Sequence, residues 1–199
     1  TAIYLNEYAT NYTLVKIIRM GINNLAGVPS VVFCLFGLSL FVNFFKFGPS
    51  IIAGSMTLGL LNLPVIIRAT EESLKTVPDT YREASLALAA TKWQTIYKIV
   101  LPNAAPGILT GIMLSLGRAA GETAPIMFTC ATFFKMSIPD SVFDEVMALP
   151  YHIYVLASNI PNTVDQQFGT AITLILLVLT LNLGGIIMRY KFKQSLSGK

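Results

Sequence analysis

Ala104–Phe128 reads AAPGILTGIMLSLGRAAGETAPIMF, and its only charges are Arg118 and Glu122. A helix needs about 20 mainly apolar residues to cross the hydrocarbon layer, so this stretch reads as a membrane span. A charged side chain inside a span costs about 2.5–3.5 kcal/mol on insertion scales, so the pair is expected to face a protein interior rather than lipid. The spacing i, i+4 puts both on one helix face. Gly107, Gly111, Ser115 and Ala119 recur every four residues, and Gly117 pairs with Gly121. At about 100° per residue, Arg118 lies about 20° around the axis from Gly107 and Glu122 about 60°, on a helix unbroken to Pro125. The charges therefore share a side with a strip of small residues, which lets helices approach closely in a membrane. This span is expected at the centre of a bundle, with Arg118 and Glu122 either fixing the packing as an ion pair or lining a path through it.

The rest of the chain agrees. Of its 199 residues 54% are hydrophobic and 12% charged, against about 25% charged in soluble domains. The mean hydropathy is +0.65. That composition excludes a disordered chain, a coiled coil and an ordinary cytosolic enzyme. Mainly apolar stretches give four expected spans, near residues 25–45, 50–67, 104–128 and 170–188, in an all-α multi-span helical bundle. The runs lack the period-two alternation of lipid-facing barrel strands.

Lysine and arginine set the orientation. Residues 68–103 carry Arg68, Lys75, Arg82, Lys92 and Lys98; the C-terminal tail carries Arg189, Lys191, Lys193 and Lys199; the N-terminal part carries Lys16 and Arg19. With four spans these fall on one side, which the positive-inside tendency makes cytoplasmic, with both ends. Loop 135–169, with Asp140, Asp144, Glu145 and Asp165, is then external. That accounts for the net charge of +4 without nucleic acid. Leu14, Ile17, Ile18 and Ile22 recur at helical spacing around Lys16 and Arg19, as in an amphipathic helix at the membrane surface. Thr1–Leu5 reads as the end of an earlier span, and the first residue, Thr1, suggests a piece of a longer protein. Asn11-Tyr12-Thr13 has the form of a glycosylation site but falls on the expected cytoplasmic side. Cys34 and Cys130 read as small buried hydrophobes. Neither a phosphate-binding P-loop nor calcium-loop spacing occurs.

Residues 68–103 are more than a simple connection between spans requires. Asp79 is a candidate N-cap after Pro78, an alanine- and leucine-rich stretch favours helix, and Trp93, Ile96, Tyr97 and Val100 form a second apolar stripe. One or two short helices along the membrane face are expected, resting on headgroups or docking a partner, with Pro102 and Pro106 restarting the chain into the next span.

The spacing within this loop resembles a known signature. Glu83-Ala84-Ser85, then Ala89, then Ile99, Leu101 and Pro102 follow the pattern E-A-A-x3-G-x9-I-x-L-P of binding-protein-dependent ABC importer permeases. Ser85 replaces the second alanine and Ala89 the glycine, whose freedom serves a turn between two short helices. The resemblance implies the type I importer permease (MetI-like) fold, with Arg82–Lys98 as a coupling helix seated on an ATPase subunit and Glu83 as a charged contact near its start.

Gly117-Arg118-Ala119-Ala120-Gly121-Glu122-Thr123-Ala124-Pro125-Ile126 is similar to the phosphate-uptake branch of that family, the PstA-type permeases. So are Leu25–Phe33, Ile67–Glu72, Lys92–Thr95 and, more weakly, Leu149–Tyr154. The resemblance implies an importer of inorganic phosphate in the inner membrane of a prokaryote. Arg118, Glu122 and Thr123 would line the substrate path. The implied partners are a second permease of similar fold, two ATPase subunits that bind the ATP and Mg, and an external phosphate-binding protein. The chain itself would hold no cofactor, catalyse nothing, and lack further N-terminal spans. An ABC permease for another solute, such as another oxyanion, or a secondary transporter or channel in which Arg118 and Glu122 gate or relay protons, are the alternatives. The loop signature leaves the first open, and the second leaves that signature unexplained.

Overall fold

The fold is described from a computed structural model covering residues 1–9, 12–135 and 137–197, with residues 193 and 195–197 described by backbone alone. Asn11 of the formal glycosylation site and Lys199 of the basic tail lie outside the described residues.

The protein is all helical: α1 Tyr12–Ala26, α2 Ser30–Gly37, α3 Ile51–Lys75, α4 Asp79–Ala87, α5 Lys92–Thr95, α6 Leu101–Gly121, α7 Ala124–Met127, α8 Leu149–Asn159 and α9 Val164–Ser197. Wider π-helical turns occupy Tyr4–Tyr8, Leu38–Phe44 and Ile96–Val100. Among the described residues the sole extended pairing outside helices is an isolated bridge between Ala131 and Val146. Among the described residues three helices are long and apolar enough to cross a membrane: Ile51–Lys75, Lys92–Gly121 and Val164–Phe192. A fourth crossing arises if α1 and the Ser30–Phe44 helix count as one broken span.

Several boundaries differ from the sequence expectation. The stretch 25–45 is interrupted: α1 ends at Ala26 and helix resumes at Ser30. Pro29 disfavours helical backbone at the residue before it, which accounts for the break. The 50–67 stretch forms helix as far as Lys75, with Pro64 inside it. Pro102 and Pro106 do not restart the chain, because both lie within one continuous helix from Lys92 to Gly121. The π turn at Ile96–Val100 explains the tolerance at Pro102. There the Leu101 N–H reaches back to Ile96 O, and the widened turn relieves the clash of a proline ring with the preceding turn. Asp79 is the first residue of α4 rather than its cap; that position belongs to Pro78.

The chain divides into two compact units. One comprises Thr1–Leu25, Pro64–Leu116 and Leu181–Lys199. Its core is Leu74, Val77, Val100 and Ala104, with Ile3 and Ile108 packed against it, so the end of α3, the start of α6 and the N-terminal segment share one apolar cluster. Gly107 lies against Ser73 and Gly111 against Ala69, so these stretches of α3 and α6 meet backbone to backbone.

The other unit comprises Ala26–Leu63 and Gly117–Thr180. Phe41, Val42 and Ala53 form its buried cluster. The first amides of α3 have no helical acceptor, and loop carbonyls take them. Ser50 N–H donates to Thr129 O (2.8 Å), Ile51 N–H to Asp144 O (2.9 Å) and Ile52 N–H to Val142 O (3.0 Å). The Asp144 carboxylate braces that loop, accepting from the Asp140 (3.0 Å) and Ser141 (3.3 Å) amides, with Lys135 Nζ at 3.4 Å. Those amides, with Asp140's first, and the nearby ammonium hold its pKa below the ordinary aspartate range.

Candidate coupling and anion sites

The loop signature folds into a helical hairpin. α4 ends at Ala87, and Ala89 takes the left-handed conformation with φ 58°, the backbone the family's glycine would adopt. Thr91 then caps α5: its hydroxyl accepts from Gln94 N–H (3.3 Å) while Gln94 Oε1 accepts from Thr91 N–H (2.9 Å), a capping box. The single coupling helix expected over Arg82–Lys98 is thus corrected to two helices parted at Leu88–Ala90. The reason is the reversal at Ala89. Ser85 is buried, and its Oγ lies 2.9 Å from the buried Thr95 Oγ1, joining α4 to α5. An alanine at that position could not make this bond.

The hairpin frames an open groove of about 570 Å³ whose lining includes Ala84, Ser85, Ala89, Gln94, Lys98 and Ile99. Four signature positions therefore come together at one concave surface. Glu83 is exposed, and Leu101 and Pro102 are half-buried in the helix that follows.

Arg82 and Glu7 were not singled out by sequence. From Arg82, Nη1 donates to Val77 O (2.7 Å) and Asp79 Oδ1 (2.9 Å); Nη2 donates to Leu74 O (2.9 Å) and Glu7 Oε1 (3.0 Å). A signal was present, because a cation in the first turns of a helix opposes the local dipole. Arg82 instead serves the carbonyl end of α3, where a cation is favoured. Arg19 and Glu71 form another pair across distant sequence, Nε to Oε1 3.5 Å, with Glu71 buried.

In the other unit, Arg118 Nε donates to Glu122 Oε1 at 3.1 Å. The Arg118 side chain is 50% exposed and that of Glu122 18%. The expectation of a helix unbroken to Pro125 is corrected: α6 ends at Gly121, and α7 begins at Ala124. Glu122 N–H bonds Ala119 O (3.3 Å), and Thr123 precedes α7 without capping it through its side chain. Arg118, Glu122 and Thr123 thus gather at a helix break. Of the small residues, Gly117 is half-buried and Gly121 exposed, with nothing within 4 Å of a Cβ placed on Gly121. The guanidinium engages Glu122 through Nε, leaving its Nη edge for a planar, two-point contact with an oxyanion.

A coupling signature folded as a hairpin, beside apolar helices of spanning length, has a counterpart among known families. Residues 2–197 match the family described as "Binding-protein-dependent transport system inner membrane component". The chain belongs to this family. The inner membrane components that it resembles include the phosphate transport system permease protein PstA of Mycobacterium leprae (strain TN), 42% identical over 201 residues, covering 100% of this chain and 65% of the relative. PstA 1 of Mycobacterium tuberculosis (strain ATCC 25618 / H37Rv) is 44% identical over 193 residues, covering 96% and 61%. The probable ABC transporter permease protein YqgI of Bacillus subtilis (strain 168) is 34% identical over 194 residues, covering 91% and 66%. The chain spans less than two thirds of these relatives' length. A solved chain of the MetNI methionine ABC transporter, from its inward-facing conformations, matches with a TM-score of 0.76 at 18% identity, over 96% of this chain and 83% of that one. This supports the type I importer permease fold.

Proposed function

We propose that this chain is part of a membrane permease subunit of an ATP-driven importer for inorganic phosphate. It forms half of the translocation path and pairs with a second permease of similar fold. The α4–α5 hairpin docks on one of two ATPase subunits, which bind ATP and Mg, and an external binding protein delivers the anion. The basic loop and both ends of the chain face the cytoplasm.

The single observation that carries this reading is the helix break beside Arg118. Non-helical backbone at membrane depth is tolerated where it is buried in protein or lines a water-filled cavity. Residues 122–123 interrupt the otherwise apolar 104–128 stretch one turn beyond Arg118, whose half-exposed guanidinium is engaged through Nε. Such a group cannot lose its charge and offers oxyanions a fixed fork. Glu122 neutralises it when the path is empty. Two relatives sharing over two fifths of their aligned residues with this chain are named as phosphate permeases, which favours phosphate over other oxyanions.

The test uses the full-length subunit purified with its native partners and reconstituted into vesicles. An ATPase should co-purify, and uptake of labelled phosphate should require ATP. Arg118→Ala should abolish uptake while the complex still assembles. Normal uptake by that variant would make the arginine structural, and uptake without any ATPase would point to a secondary transporter.

A further inference from the structure

We propose that the Glu7–Arg82 pair is a mechanical link carrying motion of the coupling hairpin into the N-terminal segment Tyr4–Tyr8, beside the covalent route into α3. This rests on the reading of the α4–α5 hairpin as the ATPase-docking element.

Arg82 projects from α4, yet three of its four bonds leave that helix. Two go to the carbonyls of Leu74 and Val77, at and just beyond the end of α3. One stays in the first turn of α4, on Asp79. The fourth reaches Glu7, which is 75 residues away in the chain. The Arg82 side chain is 17% exposed and that of Glu7 7%, whereas Asp79 is 87% exposed. The Glu7 contact is therefore shielded and the Asp79 contact lies in solvent. Glu7 Oε1 also accepts from Asn6 Nδ2 (2.9 Å), which fixes the carboxylate from its own side.

Parting the pair leaves the shielded Glu7 carboxylate without its counter-charge, so α4 cannot slide past the N-terminal segment at low cost. Apolar contacts reinforce the joint. Ala2 and Leu5 are buried, and Ile3 packs on the cluster formed by α3 and α6. Lys92 Nζ, from the second helix of the hairpin, sits 5.1 Å from the centre of the Tyr8 ring. Both arms of the hairpin thus hold Tyr4–Tyr8, and Ser85 with Thr95 holds the arms together. A body tied at these points moves as one piece, which is how docking-site motion reaches a span.

The deciding variant is Glu7→Gln, which is isosteric and leaves Arg82 its three other bonds. Asp79→Asn removes the exposed partner alone and serves as the control. Phosphate uptake per ATP hydrolysed is measured in the reconstituted native complex. Independently, a spin label at Tyr4→Cys reports the segment; Tyr4 is exposed, while the native Cys34 and Cys130 are buried. In the parent, trapping with ATP and vanadate should change the label's spectrum. In Glu7→Gln that change should vanish and uptake per ATP should fall by about fivefold, with hydrolysis retained; Asp79→Asn should stay within about twofold of the parent.

A parent label that ignores ATP overturns the link. So does a Glu7→Gln complex with unchanged response and uptake, or an Asp79→Asn loss as large as that of Glu7→Gln. Should Glu7→Gln fail to assemble, Arg82→Lys decides: it keeps the charge, loses the fork, and must lower uptake per ATP with hydrolysis retained. If the parent hydrolyses ATP yet takes up no phosphate, the phosphate reading fails and the label response alone judges the link.

Discussion

Substituting Gly111 by alanine tests the close approach of α3 and α6. The added methyl would point at the Ala69 Cβ, with the Ala69 Cα 3.7 Å away. Neither alanine has a rotatable side chain, so the helices themselves must part. Two methyl carbons at rest sit about 3.5–4.0 Å apart, so α3 and α6 would have to separate by more than about 1 Å at this level. The same crossing seats Gly107 against Ser73, whose Oγ donates to Ala69 O at 2.6 Å, so the separation would disturb a second contact one turn away. Overpacking of this kind costs about 1–3 kcal/mol. For a chain of this size each kcal/mol lowers the unfolding midpoint by about 2–4 °C. Thermal unfolding of the purified subunit in detergent, followed by fluorescence, reads that shift. Gly185→Ala should also destabilise, because the added methyl would meet Met113 at Cγ (2.5 Å), Cε (2.8 Å) and Cβ (2.9 Å), and a Cβ fixed to its backbone cannot swing aside. Gly121→Ala should be close to neutral in the isolated subunit, since nothing lies within 4 Å. The compensating double variant, Gly111→Ala with Ala69→Gly, moves the methyl across the crossing and should recover to within about 1 kcal/mol of the parent. If the double variant is as unstable as the two losses added together, the backbone-to-backbone account of this crossing is wrong.

Glu122→Gln should let sulfate compete better for phosphate uptake, because an ionised carboxylate can accept from the P–OH of phosphate and repels an anion with no proton to offer; unchanged competition removes that role. Ala89→Val should be at least about 1 kcal/mol less stable than Ala89→Gly, since an exposed left-handed position has no packing to offset a branched side chain. Equal unfolding midpoints would show that the turn has rearranged. The Asp144 carboxyl is held low in the folded state, so its bracing is complete above the unfolded aspartate value near pH 4 and fades as the pH falls below it. Hydrogen exchange at the Ile51 and Ile52 amides should accordingly stay protected down to about pH 4 and lose protection as the pH falls below it, and Asp144→Asn should show that loss at the higher pH already. Protection that is independent of pH in the parent would exclude the brace.

Helices of spanning length were legible because lipid imposes one strong rule on composition, and the mainly apolar stretches around 50–67, 104–128 and 170–188 follow it. The hairpin was partly legible: the family resemblance carried by Glu83, Ala89, Ile99 and Pro102 implies a turn between short helices, but the residues alone do not say that Ala89 would take φ 58°. The π turn before Pro102 left no local mark, since its value lies in what it spares the proline. The long-range pairs were invisible. Nothing in the spacing of Glu7 and Arg82, or of Arg19 and Glu71, singles out those partners, because each pairing is made by tertiary packing rather than by helical periodicity. Ser85 illustrates the difference. As a departure from a motif it looked like a weakened match, whereas in three dimensions its hydroxyl holds the hairpin through Thr95.

The arginines differ in how their donors are engaged. A guanidinium has five N–H donors and cannot discharge, so a shielded one must be matched by acceptors or by solvent. Arg82 is matched four times over, on two carbonyls and two carboxylates, and has little left to offer a visiting anion. Arg68 donates to Asn23 Oδ1, and Arg19 stands beside buried Glu71. Arg189 sits at the basic end of α9, where cations commonly reach the headgroups. Arg118 differs in kind. It lies inside an apolar stretch, where charge is costly, yet its bond to Glu122 is made through Nε and half of its side chain is exposed. A purely structural pair in lipid would be driven to use its remaining donors on neighbouring protein groups, as Arg82 does. An arginine kept partly open at a helix break is suited to a ligand that comes and goes, with Glu122 close enough to take the charge back each time it leaves.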